Sequence, residues 1–328
     1  MTIAIALSLA TASFLELNAT STRNLGLSSN LSKLQRDYDT LQAKYYALSG
    51  NYSALQYDYQ GVLLPNPPVV PNPGSEPLDT QQVLSRYRAL QQMYTILQAE
   101  YNEFIFNYKN LKGMTDLRLM QADLRPLTTP DDLAVVQLVH NITGKVGNIT
   151  DPDSYWKDIK AMYDWVVTNI EYREDGLYPR LPDDPADALT NGLEHSDQMA
   201  QFANETIRLK SGDCEDMAIL LTSMIRAYFN KQFTVENIWI TGATAGDVAV
   251  VIPFSSDRIV ILNPARRYYS RDTLGDIAAN SISSEIYNWL SIWRPSLGND
   301  VHVYRVFSDY MDKYFNGTEE YINWMYNR

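Results

Sequence analysis

The chain reads as an α+β domain, with helices packed on an antiparallel sheet, preceded by a long antiparallel α-helical coiled-coil hairpin. Three observations predict this. Leu and Tyr recur in unbroken alternating steps of four and three residues through most of 27–112. A proline-rich segment at 65–77 divides that pattern into two matched halves. Beyond residue 129, amphipathic helical stretches are followed by consecutive apolar runs with strand character, which is the order of the α+β class.

Residues 1–26 form an apolar N-terminal segment. The run from Met1 to Leu15 is short for a helix that must cross about 30 Å of hydrocarbon. It resembles the apolar part of a signal peptide, with Ala10-Thr11-Ala12 as a small-residue cleavage site but without a basic start. A membrane-associated helix is the other reading. Seven Asn-x-Ser/Thr sequons, at Asn18, Asn30, Asn51, Asn141, Asn148, Asn204 and Asn316, favour an exported, glycosylated chain. The expectation is therefore a secreted or cell-surface protein, with membrane or envelope association through its N-terminus.

The first heptad arm places Leu27, Leu34, Leu41, Leu48 and Leu55 at one core position. Leu31, Tyr38, Tyr45, Tyr52 and Tyr59 take the other. Such an arm is a helix about 50 Å long at 1.5 Å per residue. Pro65 to Pro77 cannot continue it, because each proline lacks an N–H donor and fixes φ. The second arm runs Val83, Tyr87, Leu90, Tyr94, Leu97, Tyr101, Phe104, Tyr108 and Leu111. Two matched arms around one tip bury each other's stripes most simply as a hairpin. The tyrosines are read as packing residues whose hydroxyls reach the edge of the seam.

Residues 113–128 read as a connector, and 129–328 as the globular domain. Thr129-Pro130-Asp131-Asp132 is a helix start, with a capping side chain, a proline in the first turn and acids at the positive end of the dipole. A second helix covers 151–169, with Trp156, Ile159, Met162, Tyr163 and Val166 on its apolar face, and a short strand follows at 170–172. Residues 211–228 open on Gly212-Asp213 and continue as a helix. Strands are predicted at 235–241, 247–252 and 258–262. The tail from about Phe307 to Arg328 reads as helix.

The formal net charge is −12, with no basic stripe, so nucleic acid is not an expected partner. Cys214 is the one cysteine, which excludes an internal disulfide and a thiolate zinc cage. His140, His195 and His302 are far apart in sequence. No metal and no cofactor is expected. Cys214 opens a helix after a glycine, where the dipole favours a thiolate and backbone N–H groups can hold an anion. A small core residue at a helix start is the other reading.

The blocks around it, Tyr155-Trp156, Tyr163-Asp164-Trp165-Val166, Ile170-Glu171-Tyr172, Asn204-Glu205-Thr206-Ile207 and Ser211-Gly212-Asp213-Cys214-Glu215-Asp216-Met217-Ala218, resemble the transglutaminase-like superfamily, of papain-like fold, over about 130–270. The resemblance implies a Cys-His-Asp triad with the cysteine on the central helix and its partners on the next strands. Cys214 then matches the nucleophile. Asp247 falls on the histidine position, after Gly246, and Asn263 on the aspartate position, before Pro264. Gln201, beside Ala200, falls in the oxyanion region.

A carboxylate in place of an imidazole disfavours the thiolate by like-charge repulsion and is a poor base for a thiol. The leading expectation is thus a catalytically degenerate domain, acting as a binding or structural head on a coiled-coil stalk and taking a protein or peptide ligand. Two alternatives stay open. One is an active cysteine peptidase, amidase or transglutaminase using Cys214 with His195 or His302 as base. The other is a structural surface or envelope component that self-associates through the hairpin.

Overall fold

The computed structural model describes residues 43, 44, 47, 80–144, 152–185, 187, 194–243 and 245–328. Almost all of the first heptad arm, the proline-rich segment and residues 1–26 lie outside the described residues. The chain divides into two compact units, Met1–Thr115 with Pro179–Glu194, and Asp116–Tyr178 with His195–Arg328. No helix among the described residues is long and apolar enough to cross a membrane.

In the first unit the second heptad arm is helical, as part of α1 (Thr80–Arg118). Its stripe is buried at Phe104, Tyr108, Leu111 and Thr115, which keep the steps of four and three. Tyr108 donates its hydroxyl to the Pro182 carbonyl at 2.7 Å, so this ring is both packed and hydrogen-bonded. Tyr94 and Tyr101, assigned to the same stripe, are instead 59% and 53% exposed. The Lys44 ammonium pairs with the Glu100 carboxylate.

The second unit starts inside the last turn of α1, which reaches Arg118 and so enters the segment read as connector. A 3₁₀ turn at Arg125–Leu127 follows. Then come α2 (Leu133–Thr143), α3 (Pro152–Asn169), β1 (Glu171–Tyr172), β2 (Tyr178–Pro179), β3 (His195–Ser196), α4 (Ala203–Leu209), β4 (Ser211–Gly212) and α5 (Cys214–Tyr228). Asp132 caps α2, its carboxylate accepting from the Ala134 N–H at 2.8 Å, at the end of the predicted helix start.

The sheet strands are β5 (Glu236–Thr241), β6 (Gly246–Pro253), β7 (Arg258–Asn263), β8 (Tyr268–Tyr269), β9 (Asn280–Ser281), β10 (His302–Ser308) and β11 (Met311–Tyr314). They form one antiparallel sheet in the order β11-β10-β5-β6-β7-β8, with β9 also pairing β7. Two further helices, α6 (Ile282–Leu297) and α7 (Thr318–Tyr326), complete the unit. The predicted tail helix is corrected here: 307–314 is the end of β10, a two-residue turn and β11, and helix begins only at Thr318.

Both faces of the sheet are covered, because side chains alternate across it. Val248, Val250, Ile252, Val260 and Leu262 join α2, α3 and α5 in one core. Ala249, Val251, Ile259 and Ile261 join Ile286, Trp289, Leu290 and Trp293 of α6, with Tyr321 and Ile322 of α7, in the other. This is why β6 and β7 are apolar almost throughout. Helix α5 is buried on all sides, with Ala218, Ile219, Leu220, Leu221, Met224 and Ile225 fully covered. Its first residue is thereby fixed against the sheet.

Candidate functional site

The site is built where α5 begins. Strand β1 pairs in parallel with β4, Tyr172 opposite Gly212, and the Arg173 N–H donates to the Gly212 carbonyl at 3.0 Å. Gly212 is required by close approach: a Cβ there would lie 2.5 Å from the Asp216 Cβ. Asp213, the N-cap residue, is extended at φ −96° and makes no side-chain cap. Asp216 is fully buried and accepts from the Gln201 backbone N–H and side-chain Nε2, each at 2.6 Å. The Gln201 amide assigned to the oxyanion region is thus held by Asp216.

Cys214 is half-buried, and its thiol donates to Glu215 Oε2 at 3.1 Å. From the sheet, Asp247 at the start of β6 is buried and accepts from Asn263 Nδ2 at 2.5 Å. Asn263 ends β7, and its Oδ1 accepts from the Arg266 N–H at 3.0 Å. The fold therefore brings Cys214, Asp247 and Asn263 together from three elements. Asp247 Oδ1 and Glu215 Oε1 are buried with no hydrogen-bond partner among the described residues.

The electrostatics follow from burial among like charges. Desolvation pushes the Cys214 thiol well above its ordinary range, and Glu215, Asp247 and Asp213 push it further. Burial raises Asp247 to about 8, against the opposing hydrogen bond from Asn263 and the charge of Arg266. Burial raises Glu215 to about 7, helped by Asp216 and Asp175. At neutral pH the thiol and Asp247 both hold their protons. The helix N-terminus, which on its own favours a thiolate, is outweighed.

The histidines lie on other elements than Cys214, Asp247 and Asn263. His195 is exposed on β3. His302 opens β10, its Nδ1 2.8 Å from the Asp300 carbonyl oxygen. His140 lies in the last turn of α2. The groups that act most strongly on the thiol are carboxyls.

One member of the site was not picked out from the sequence. Asp175 follows β1 and joins Asp213 and Glu215, with one oxygen from each within 4.8 Å of the others. Its Oδ2 also accepts from the Met199 N–H at 2.5 Å. Tyr172 pairs with Gly212 in the parallel β1–β4 register, and Asp175 and Glu215 each follow three residues after that pair. A strand of two residues gives too little periodicity to reveal that register.

No family model and no curated protein matches the chain. Among solved structures, it is similar to a proposed cysteine protease from Cytophaga hutchinsonii, at 18% identity and a TM-score of 0.27, over 59% of this chain and 57% of that one. A proposed protease from Parabacteroides distasonis is similar at 14% identity and a TM-score of 0.26, over 46% of this chain and 28% of that one. LapG of Legionella pneumophila is similar at 14% identity and a TM-score of 0.25, over 51% of this chain and 97% of that one. The chain thus spans 57% and 28% of the length of the first two.

Proposed function

We propose that residues 129–328 are a transglutaminase-like domain that has lost its catalytic machinery and serves as a binding or structural head for a protein or peptide ligand. One observation carries this reading. Beside the only thiol stands Asp247, buried, hydrogen-bonded to Asn263 and raised to about 8, where a working site would need a base. A neutral carboxyl cannot take a thiol proton.

The head is read as borne on a coiled-coil hairpin and displayed outside the cell. The Lys44–Glu100 pair supports the hairpin, since the two residues are equidistant in sequence from Asn72, within the proline-rich tip. The sequon asparagines Asn141, Asn204 and Asn316 are exposed, which supports glycosylation.

The test is restoration. In the double variant Asp247→His with Asn263→Asp, an imidazole oriented by a carboxylate faces Cys214. Hydrolysis of an activated ester is expected to rise by roughly 10²-fold or more over the parent, the scale of a general base, and to vanish with Cys214→Ala. A parent chain that already turns over a peptide or glutamine amide through Cys214 would overturn the reading.

A further inference from the structure

We propose that Asn141 carries an N-linked saccharide and that the first rings of this glycan lie in the groove between α2 and α3, against Trp165. The groove has a volume of about 560 Å³. One wall is Leu138, Asn141 and Ile142 of α2, spaced i, i+3 and i+4, so the acceptor of the Asn141-Ile142-Thr143 sequon lines the groove itself. The other wall is Ala161, Asp164, Trp165 and Thr168 of α3, on the same helical spacing. Ala161 leaves room that a longer side chain would fill. A pyranose ring has one face of C–H groups and a rim of hydroxyls. Leu138, Ile142 and the half-buried Trp165 match the face, and the exposed Asp164 and Thr168 supply hydrogen-bonding groups for the rim.

A second observation sets Asn141 apart from the other described sequons. Nδ2 of Asn204 donates to Asp132 Oδ2 at 2.8 Å, and Nδ2 of Asn316 donates to Glu320 Oε2 at 2.7 Å. The Asn141 carboxamide has no hydrogen-bond partner among the described residues. Modification joins Nδ2 to the anomeric carbon of a saccharide carried on a lipid phosphate. The anomeric C–O bond breaks, the phosphate leaves with its electron pair, and one carboxamide proton passes to solvent. At Asn141 the new bond displaces no native contact, whereas at Asn204 and Asn316 it competes with one. The acceptor must reach a glycosylating compartment, so this rests on the reading of the chain as exported.

The experiment uses the full chain, expressed behind its own N-terminus in a glycosylating eukaryotic host. Glycopeptide mass spectrometry gives occupancy at Asn141, Asn204 and Asn316, and a glycosidase that cuts within the first rings is then applied to the folded protein. A saccharide docked about ten times more often than free exposes only about a tenth of the chains to the enzyme at any moment. The Asn141 glycan is therefore expected to be cut about tenfold more slowly in the parent than in Trp165→Ala or Ala161→Phe. The second variant fills the groove and keeps the tryptophan, so it decides the matter if W165A fails to fold by circular dichroism. A secreted chain bare at Asn141, or equal rates in the parent and A161F, would overturn the proposal and leave export standing. A chain retained in the cell with every sequon bare would overturn both.

Discussion

At the scale of single residues, Asp247 is the decisive side chain, because its ionisation is set by burial. A carboxyl whose folded pKa is about 8, against about 3.9 unfolded, keeps a proton that the unfolded chain releases. Its contribution to stability is therefore full below about pH 4 and falls as pH rises towards 8, by up to about 1.4 kcal/mol per unit. Asp247→Asn keeps a neutral partner for Asn263 and removes that dependence. Scanning calorimetry is expected to show the variant melting above the parent at pH 8 and close to it at pH 4, whereas parallel curves would rule this out. Cys214 could be picked out from sequence because a glycine and a helix start mark its place, whereas Asp247 and Asn263 are placed only by the resemblance to the transglutaminase-like superfamily. Asp175 and the engagement of Gln201 by Asp216 could not be picked out, since both depend on loop paths that no local pattern encodes.

At the scale of elements, the β4–α5 junction carries the site. It is tight because Gly212 lies against Asp216, so Gly212→Ala must displace a carboxylate that also holds Gln201 in place. Overpacking of this kind costs about 1–3 kcal/mol, and thermal melting should fall by several degrees in a unit of this size. An unchanged melting temperature would mean that the junction relaxes freely. The strands at 236–241, 246–253 and 258–263 were legible because each carries a short run of apolar, mostly β-branched residues with strand character. The tail was misread for a physical reason. β10 and β11 are joined by the short Asp309-Tyr310 turn, and β10 buries Arg305, which a sequence pattern scores as exposed. That arginine is held by Asp312 at 2.7 Å and by the carbonyls of Met120 and Ala122 at 2.9 and 2.6 Å.

At the scale of the whole molecule, the second unit holds two cores, one on each face of its sheet, and both are drawn wholly from its own residues. The α+β class was readable from the order of helices and strands, whereas the covering of the second face by α6 was not, since no element was assigned to 282–297 from sequence. The central claim is that this unit presents an unactivated thiol among carboxyls. The most direct measurement is the pH dependence of Cys214 alkylation by iodoacetamide in the full chain, with mass spectrometry confirming the single site. The account predicts a rate at pH 7 below that of a free thiol, with no inflection below about 8.5, the ordinary thiol value. Rapid alkylation with an inflection below pH 7 would contradict it and reveal an activated nucleophile.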